Sequence, residues 1–352
     1  MNKHITTGIV ASVLTLSLWN CKTTDPEASP YESGAYIANQ GNFSQNNGSV
    51  TYIPTGSNTA QTSIFATANS GLTISGGVQD ITDVNGKMLI LVDNTAAGQD
   101  KVEIVEDGTF KSRATLKTPD IENPRRVIYA APNKAYVSCW DVSGSFSAGT
   151  FYKDPGYVAV VDVNSGTVTK KISAVKGAEG MVLVGSEVFV GSAGYSGGNA
   201  LAIININTDE VVQKVDMGGE AEPIAVDANG KLWVLVGQTM ICYNAGARTV
   251  EKRVPLNATP TGVAISRDKK SFYFSTSNRT YRFAITDTSV PTTAVQNRSF
   301  SAIGIDPNSG TFYGSQNPVS YSQAGYVIRY QESGALIDSV RAEIAPSRFF
   351  FR

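Results

Sequence analysis

The sequence predicts an all-β fold, a seven-bladed β-propeller with four antiparallel strands in each blade. Three observations predict it. A strand-like segment recurs seven times, further strand-like segments surround each copy, and the strand missing before the first copy is found at the C-terminus. No segment of useful length shows the 3.6-residue apolar period of a helix, which argues against an α/β protein of several domains.

The recurring segment reads KAYVSCW at residues 134–140. Its third position holds a large apolar or aromatic residue in all seven copies, and successive copies lie 40 to 53 residues apart. These intervals match or modestly exceed the period of propeller blades, which is about 40–50 residues. The third-position residues are Tyr36, Leu89, Tyr136, Phe189, Trp233, Tyr273 and Tyr313.

Each copy is followed by two more strand-like segments, as in GYVAVVDV and GTVTKKISA, which the turn-forming residues Asn164 and Ser165 connect. The two middle segments of each predicted blade are nearly continuous apolar runs, as expected for strands covered on both faces. The last segment alternates and carries lysine or arginine in several blades, such as Lys170 and Lys171. That pattern is typical of an outer edge protected from aggregation.

The C-terminus is predicted to complete the ring. Six copies are preceded by a strand-like segment such as PRRVIYA, but the first copy begins at Gly34 with no room for one. The segment PSRFFFR, at residues 346–352, supplies the missing strand. We expect it to pair with the first copy and to pack Phe349, Phe350 and Phe351 against the two neighbouring blades, because closure removes an open sheet edge.

Residues 1–21 are predicted to be a lipoprotein signal peptide. A charged start precedes a short apolar stretch, and Cys21 stands where the lipid-modified first residue of the mature chain is expected. Asn20 departs from the small residue that usually precedes such a cysteine, and an ordinary secretory signal is the alternative. Residues 22–30 then read as a flexible tether, and residues 31–352 as a single propeller domain.

The composition excludes several functions. His4 is the only histidine and leaves with the signal peptide, which removes Ser-His-Asp and Cys-His catalysis and histidine-ligated zinc or haem. The net charge is −1 and no basic stripe is present, which gives no reason to expect nucleic acid. Cys139 and Cys242 lie in apolar runs, where buried thiols are expected rather than a disulfide or metal ligands. We expect neither a cofactor nor a metal.

Long loops place a candidate binding surface on one face of the propeller. The loops between the second and third strands of each blade share a face with the connections between blades, and they are long in blades 7, 1, 2, 3 and 4. Aromatic rings on these loops suit a large, partly polar ligand, and pinning their own loop is the alternative role of each. The candidates are Phe43, Trp140, Tyr152, Tyr195 and Tyr321.

The residues just before each inner strand are expected to ring the mouth of the central channel. Asp80, Arg126 and Arg348 are the charged candidates there. An arginine can hold a phosphate or a carboxylate through two hydrogen bonds. The alternative is that both arginines only pair with carboxylates of the channel itself. Those carboxylates are Asp80, Glu179 and Glu222.

Three segments carry a resemblance to a known family: YIANQGNFSQNNGSVTYIP, GVQDITDVNGKMLILVDN and ENPRRVIYAAPNKAYVSCW. They resemble the seven-bladed YncE-like surface lipoproteins that partner TonB-dependent outer-membrane transporters, a group that includes cobalamin-capturing propellers. The resemblance covers nearly the whole mature chain and implies a non-enzymatic capture protein that caps the transporter's outer mouth. Asn20 and the long loop at residues 140–157 depart from the family's pattern.

Three classes of function remain open. The first is a lipoprotein that binds a bulky nutrient, cobalamin-like or another chelate, and delivers it to an outer-membrane transporter. The second is a surface propeller that binds proteins and has no small-molecule ligand. The third is a propeller lyase or lactonase that uses the channel carboxylates for acid–base chemistry. We expect a lipid-anchored protein of the outer membrane facing the cell surface, with periplasmic or secreted locations as alternatives.

Overall fold

A computed structural model describes residues 29–140, 152, 155–318 and 320–352 of the chain. The expected signal peptide, Cys21 and most of the tether lie outside these ranges. Within them the chain is built of β-strands, with one short helix, α1 (Ile64–Ala68), and one 3-10 turn at Phe43–Gln45. No helix in the described ranges has the length and apolar character needed to span a bilayer.

Twenty-six strands are present in the described part of the chain, and most of them are five to eight residues long. In chain order they are β1 (Gly34–Asn39), β2 (Ser49–Pro54), β3 (Gly77–Val84), β4 (Lys87–Asp93), β5 (Lys101–Glu106), β6 (Ser112–Lys117), β7 (Pro124–Ala131), β8 (Lys134–Cys139), β9 (Pro155–Asp162), β10 (Thr167–Lys176), β11 (Ala178–Val184), β12 (Glu187–Ser192), β13 (Ala200–Asn205), β14 (Glu210–Asp216), β15 (Ala221–Val226), β16 (Leu232–Val236), β17 (Thr239–Asn244), β18 (Thr249–Pro255), β19 (Gly262–Ile265), β20 (Ser271–Ser275), β21 (Thr280–Ala284), β22 (Ala302–Ile305), β23 (Phe312–Gln316), β24 (Ala324–Tyr330), β25 (Leu336–Ile344) and β26 (Pro346–Phe351).

The strands form seven antiparallel sheets, which are the blades of the predicted propeller. From the inside outward, blade 1 is β26-β1-β2, blade 2 is β3 to β6, blade 3 is β7 to β10 and blade 4 is β11 to β14. Blade 5 is β15 to β18, blade 6 is β19 to β21 and blade 7 is β22 to β25. The inner strands β3, β7, β11, β15, β19, β22 and β26 pack side by side in a closed cycle. The predicted seven-bladed fold is confirmed.

Every blade follows the four-stranded antiparallel plan, but two blades fill the outermost position with a single bridge. In blade 1 the bridge joins Tyr52 to Gln61, after which the chain turns into α1 and buries Phe65 in the core. In blade 6 it joins Thr280 to Gln296, downstream of Pro291.

The C-terminal strand closes the ring, as the sequence predicts. Strand β26 pairs antiparallel with β1, and Phe350 lies opposite Tyr36 in the register. The pairing continues past the strand ends, because the backbone amides of Gly34 and Arg352 each donate to the other's carbonyl at 3.0 Å. The last residues of the chain therefore belong to the first blade.

The three terminal phenylalanines pack between blades. The rings of Phe349 and Phe351 lie 5.9 and 5.0 Å from that of Tyr313 in blade 7, measured between ring centroids. Phe350 points the other way, with its ring 6.0 Å from Tyr36 in the cluster shared with blade 2. Alternate residues of a strand face opposite sides of the sheet, so one short segment contacts both neighbours. The expected packing of these rings is confirmed.

The repeat's third-position residues form the packing between blades. Tyr36, Leu89, Tyr136, Phe189 and Trp233 are fully buried, and the equivalent tyrosines of blades 6 and 7 are nearly so. Burying an aromatic side chain stabilises a fold by roughly 1.5–3 kcal/mol relative to leaving it exposed. The third position of the sequence repeat is therefore the position through which each blade packs against its neighbour.

Cys139 and Cys242 are free and buried, which confirms the expected thiols. Burial raises the pKa of the Cys139 thiol to about 12, and a hydrogen bond with Tyr157 only partly offsets that effect. A thiol in this state is not a nucleophile at neutral pH.

Gly304 offers a test of the closure packing. A Cβ at this position of β22 would lie 2.9 Å from Cβ of Phe349, closer than real contacts allow, whereas a Cβ on Gly246 would meet nothing nearer than 3.7 Å. Gly304→Ala should therefore destabilise the protein by about 1–3 kcal/mol through overpacking, and Gly246→Ala should not. Urea unfolding of both variants measures this, and equal effects would contradict the packing described.

Candidate functional site

A cavity of about 590 Å³ occupies the end of the central channel. It is lined by the first residues of the inner strands and by residues of the loops between second and third strands. Because the inner strands enter the channel from that loop-bearing face, the cavity lies at the same face. Its charged lining residues are Asp80, Arg126, Glu179, Glu222 and Arg348.

The register explains why charged side chains meet here. Asp80 of β3 lies opposite Leu91, Arg126 of β7 lies opposite Ser138, and Arg348 of β26 lies opposite Ala38. In each case the facing residue is two positions beyond the repeat's third residue, so the three charged residues occupy equivalent sites in consecutive blades. The sequence expectation that these residues ring the channel agrees with their place in the cavity lining.

Arg126 is committed to a partner of the neighbouring blade. Its Nη2 lies 3.1 Å from Oε1 of Glu179, and its Nη1 donates to the carbonyl of Arg125 at 2.8 Å. Burial alone would raise the pKa of Glu179, but Arg126 and then Arg125 hold that pKa below its ordinary value. Glu179 is therefore a carboxylate, and the Arg126–Glu179 pair is largely neutralised within the protein.

Two other carboxyl groups of the cavity are less well compensated. Burial raises the pKa of Asp80 to about 6, although Arg126 and the backbone amides of Val127 and Ile81 lower it in part. The amide of Val127 donates to Oδ2 of Asp80 at 3.0 Å. Burial also raises the pKa of Glu222, with Arg126 opposing the shift and the negative charge of Glu179 adding to it.

Trp140 contacts both Tyr152 and the protein's own Arg125. Their rings are 5.2 Å apart in an edge-to-face arrangement, and Cζ of Arg125 lies 3.8 Å from the centroid of the Trp140 ring. Arg125 also pairs with Asp93, with Nη1 to Oδ2 at 3.2 Å. These contacts show that both rings already pack against other residues of the protein.

The remaining three aromatic candidates are exposed on the loops. The exposed fraction is 78% for Phe43, 96% for Tyr195 and 51% for Tyr321. Of these, only Tyr321 also lines the cavity. The structure thus brings Asp80, Arg126, Arg348 and Tyr321 to one cavity, and it places the other exposed rings outside its lining.

Sequence reasoning missed part of the polar lining. Gln40, which follows β1, and Asn317, which follows β23, both reach the cavity. Their position in the repeat could have identified them. Each directly follows the second strand of its blade, where the chain reaches the same face of the propeller as the start of the inner strand. Over the described ranges, no group of three or more His, Cys, Asp or Glu residues is arranged to hold a metal.

The fold and the cavity define a closed β-propeller with a polar cavity at one mouth of its channel. The chain belongs to the family described as Domain of unknown function (DUF5074), whose model matches residues 33–335. A search of curated proteins finds no match.

Solved structures share the fold at low identity. A quinonprotein alcohol dehydrogenase-like protein from Bacteroides thetaiotaomicron has a TM-score of 0.67 and 14% identity, over 91% of this chain and 78% of that one. A functionally unknown protein from Desulfotomaculum acetoxidans has a TM-score of 0.63 and 13% identity, over 91% and 99%. The Pan2 WD40 domain of Neurospora crassa has a TM-score of 0.54 and 13% identity, over 77% and 80%. At these identities the likeness concerns the fold alone.

Asp80→Asn tests the electrostatics of the cavity. Because burial raises the pKa of Asp80 from 3.8 to about 6, its contribution to the free energy of unfolding is full below about pH 4 and is lost as the pH rises through about 6. Asp80→Asn has no carboxyl group to ionise at this position, so its free energy of unfolding does not fall in this way. It should gain stability relative to the wild type between about pH 4 and pH 7, by up to about 3 kcal/mol. Urea unfolding over this range measures the gain.

Glu210→Gln is the matched control, because Glu210 is an exposed carboxylate on the outer strand β14. The same measurement on Glu210→Gln supplies the baseline for removing a carboxylate that lies outside the cavity. An Asp80→Asn difference from the wild type that does not change with pH would show that Asp80 is ionised without cost in the folded protein, against the description given above.

Proposed function

We propose that this protein is a non-enzymatic capture protein that binds a nutrient at the loop-bearing mouth of its channel. The observation that carries the proposal is the cavity of about 590 Å³ at that mouth, with charged residues from five blades in its lining. Its volume lies within the range of about 300–1,000 Å³ that is common for small-molecule sites. A propeller without a ligand has no evident need for so many charged groups at one end of its channel.

The exposed rings support a ligand larger than the cavity. Phe43, Tyr195 and Tyr321 are exposed to solvent on loops of the same face, and Tyr321 reaches the cavity as well. Flat amphipathic rings of this kind contact bulky, partly polar molecules at low entropic cost. We propose that one part of the ligand enters the cavity and that its body rests on the loops. A cobalamin-like corrinoid or another chelate, as the family resemblance implies, is such a molecule.

The sequence suggests how the protein is anchored to the membrane and which kind of partner receives its ligand. Cys21, outside the described ranges, is proposed to carry the lipid anchor, and residues 22–30 to act as the tether. Several acyl chains anchor a protein stably, since each buried CH₂ contributes about 0.8 kcal/mol. The proposed partner is a TonB-dependent outer-membrane transporter, which the loop-bearing face would meet at the cell surface.

A second candidate is a propeller that docks a protein and takes no small molecule. Tyr195 favours it, because a tyrosine 96% exposed at the tip of a loop is a common anchor of protein interfaces. The fold itself decides nothing between the two candidates. A pull-down of membrane proteins with no affinity for any small molecule would favour this second function.

Calorimetric titration with a panel of corrinoids and siderophores tests the proposed ligand class. At least one member should bind. Tyr321→Ala should weaken its binding about tenfold or more, because losing a stacked aromatic contact should cost roughly 1.4 kcal/mol of binding free energy, which corresponds to a tenfold change in Kd. Tyr129→Ala is the matched control, because Tyr129 is a half-exposed tyrosine near the opposite end of inner strand β7. Failure of every member to bind would contradict the proposal.

Metabolic labelling with palmitate tests the anchor. Cys21→Ala should abolish label incorporation and release the protein from the membrane fraction. Cys139→Ala should retain both properties, because the thiol of Cys139 is buried in the propeller. Equal labelling of the wild type and Cys21→Ala would show that the cysteine is not the acylated residue.

A further inference from the structure

Two opposite charges in the cavity have no partner within the described part of the protein. Neither the guanidinium of Arg348 nor the carboxyl of Glu222 makes a hydrogen bond or an ion pair there, although both line the cavity. Arg348 belongs to the closing strand β26, and Glu222 belongs to β15 of blade 5. Both residues are half-buried, and an ionisable group that is partly withdrawn from bulk water and left without an ion pair is costly, so such groups are characteristic of binding sites.

The other charged residues of the cavity already have partners within the protein. Glu179 pairs with Arg126 at 3.1 Å and lies 3.7 Å from Nη2 of Arg125. Asp80 accepts the backbone amide of Val127 at 3.0 Å. The cavity therefore presents one uncommitted cation and one uncommitted carboxyl group to whatever enters it.

These two groups come from blades on opposite sides of the channel. The inner strands follow one another in the cycle β26, β22, β19, β15, so blade 5 is three blades from blade 1 by the shorter way round. Three is the largest separation that a ring of seven blades allows. The Cγ of Glu222 packs over Gly180, at 3.2 Å from the position of a Cβ there, which places its side chain along the blade 4 side of the cavity.

We propose that the ligand group entering this cavity is zwitterionic, with an anionic end bound by Arg348 and a cationic end bound by Glu222. The inference deepens the proposed function, because it requires the cavity to be the ligand site. A purely anionic ligand would remove water from Glu222 without giving it a partner, and a purely cationic one would do the same to Arg348. Each mismatch leaves a desolvated, unpaired charge and is selected against.

Glu222 is suited to the cationic end for a second reason. Burial raises its pKa, so the carboxylate form is less favourable in the empty cavity than it is in water. A ligand ammonium beside it would stabilise that form, as an opposite charge does for any buried carboxyl. Arg348 remains protonated at all relevant pH values and needs no such help.

The test uses glycine peptides from diglycine to pentaglycine, which are unbranched zwitterions differing only in the separation of their charges. Binding is followed by NMR shift perturbation on the full mature protein at about pH 7, with peptide up to millimolar concentration. The N-acetylated peptides carry only the anionic end, and the C-amidated peptides carry only the cationic end. We expect one length to bind best and both capped forms of it to bind about tenfold or more weakly.

Variants assign each end of the peptide to its residue. Arg348→Gln should remove the preference for the free carboxylate over the amide, and Arg348→Lys should restore part of it. Glu222→Gln should remove the preference for the free amine over the acetylated form. The matched controls are Arg253→Gln and Glu210→Gln, whose side chains are exposed on the outer strands β18 and β14. They should bind the peptides as the wild type does.

The proposal is overturned if no zwitterionic length binds, or if capped and free peptides bind equally. It is also overturned if both preferences survive in Arg348→Gln and Glu222→Gln. These outcomes are distinct from failure of the proposed function. A corrinoid or siderophore that binds equally to wild type, Arg348→Gln and Glu222→Gln would keep the capture function and remove the zwitterion. Peptide binding with the expected preferences but no chelate binding would keep the zwitterion proposal and contradict the proposed capture of a chelate.

Discussion

The pairing of β26 with β1 is the contact on which the rest of the structure depends. A propeller blade packs on both faces against its neighbours, so an open ring would expose two apolar sheet faces and an unpaired edge. Here the contact joins the first and last strands of the domain, and Phe349, Phe350 and Phe351 fill the spaces on either side. The same strand carries Arg348, so the element that closes the ring also supplies the uncommitted cation of the cavity.

Closure also determines the electrostatics of the channel. Seven inner strands side by side bring their first residues to one mouth, and charged residues there are partly withdrawn from water. The protein compensates some of them internally, as with Arg126 and Glu179, and leaves Glu222 and Arg348 without a hydrogen bond or an ion pair in the described part of the chain. That arrangement costs stability, and under the proposed function a ligand of complementary charge would restore what burial removes. Asp80 is intermediate, because Arg126 and the backbone amides of Val127 and Ile81 offset only part of the effect of burial.

The fold was predictable because its determinants are local and repeated. The residues equivalent to Tyr36 recur at blade spacing, and PSRFFFR is the only strand-like segment left for the first blade. The single bridges at the outer position of blades 1 and 6 were not predicted, since a strand-like sequence pattern does not show how far an outermost ladder extends. Which arginine of the channel pairs with which carboxylate depends on how the neighbouring blades are placed relative to one another. The sequence therefore placed Arg126 and Arg348 at the mouth without distinguishing the paired arginine from the unpaired one, and it left the contact of Trp140 with Tyr152 and Arg125 open.

Removing residues 346–352 is the most direct test of ring closure. The truncated protein should lose cooperative urea unfolding, and a synthetic PSRFFFR peptide added in trans should restore a cooperative transition whose midpoint rises with peptide concentration, because the peptide binds only the folded ring. Replacing the three phenylalanines of that peptide with serine should abolish the rescue. A truncated protein that unfolds with the midpoint and slope of the intact chain would contradict the account.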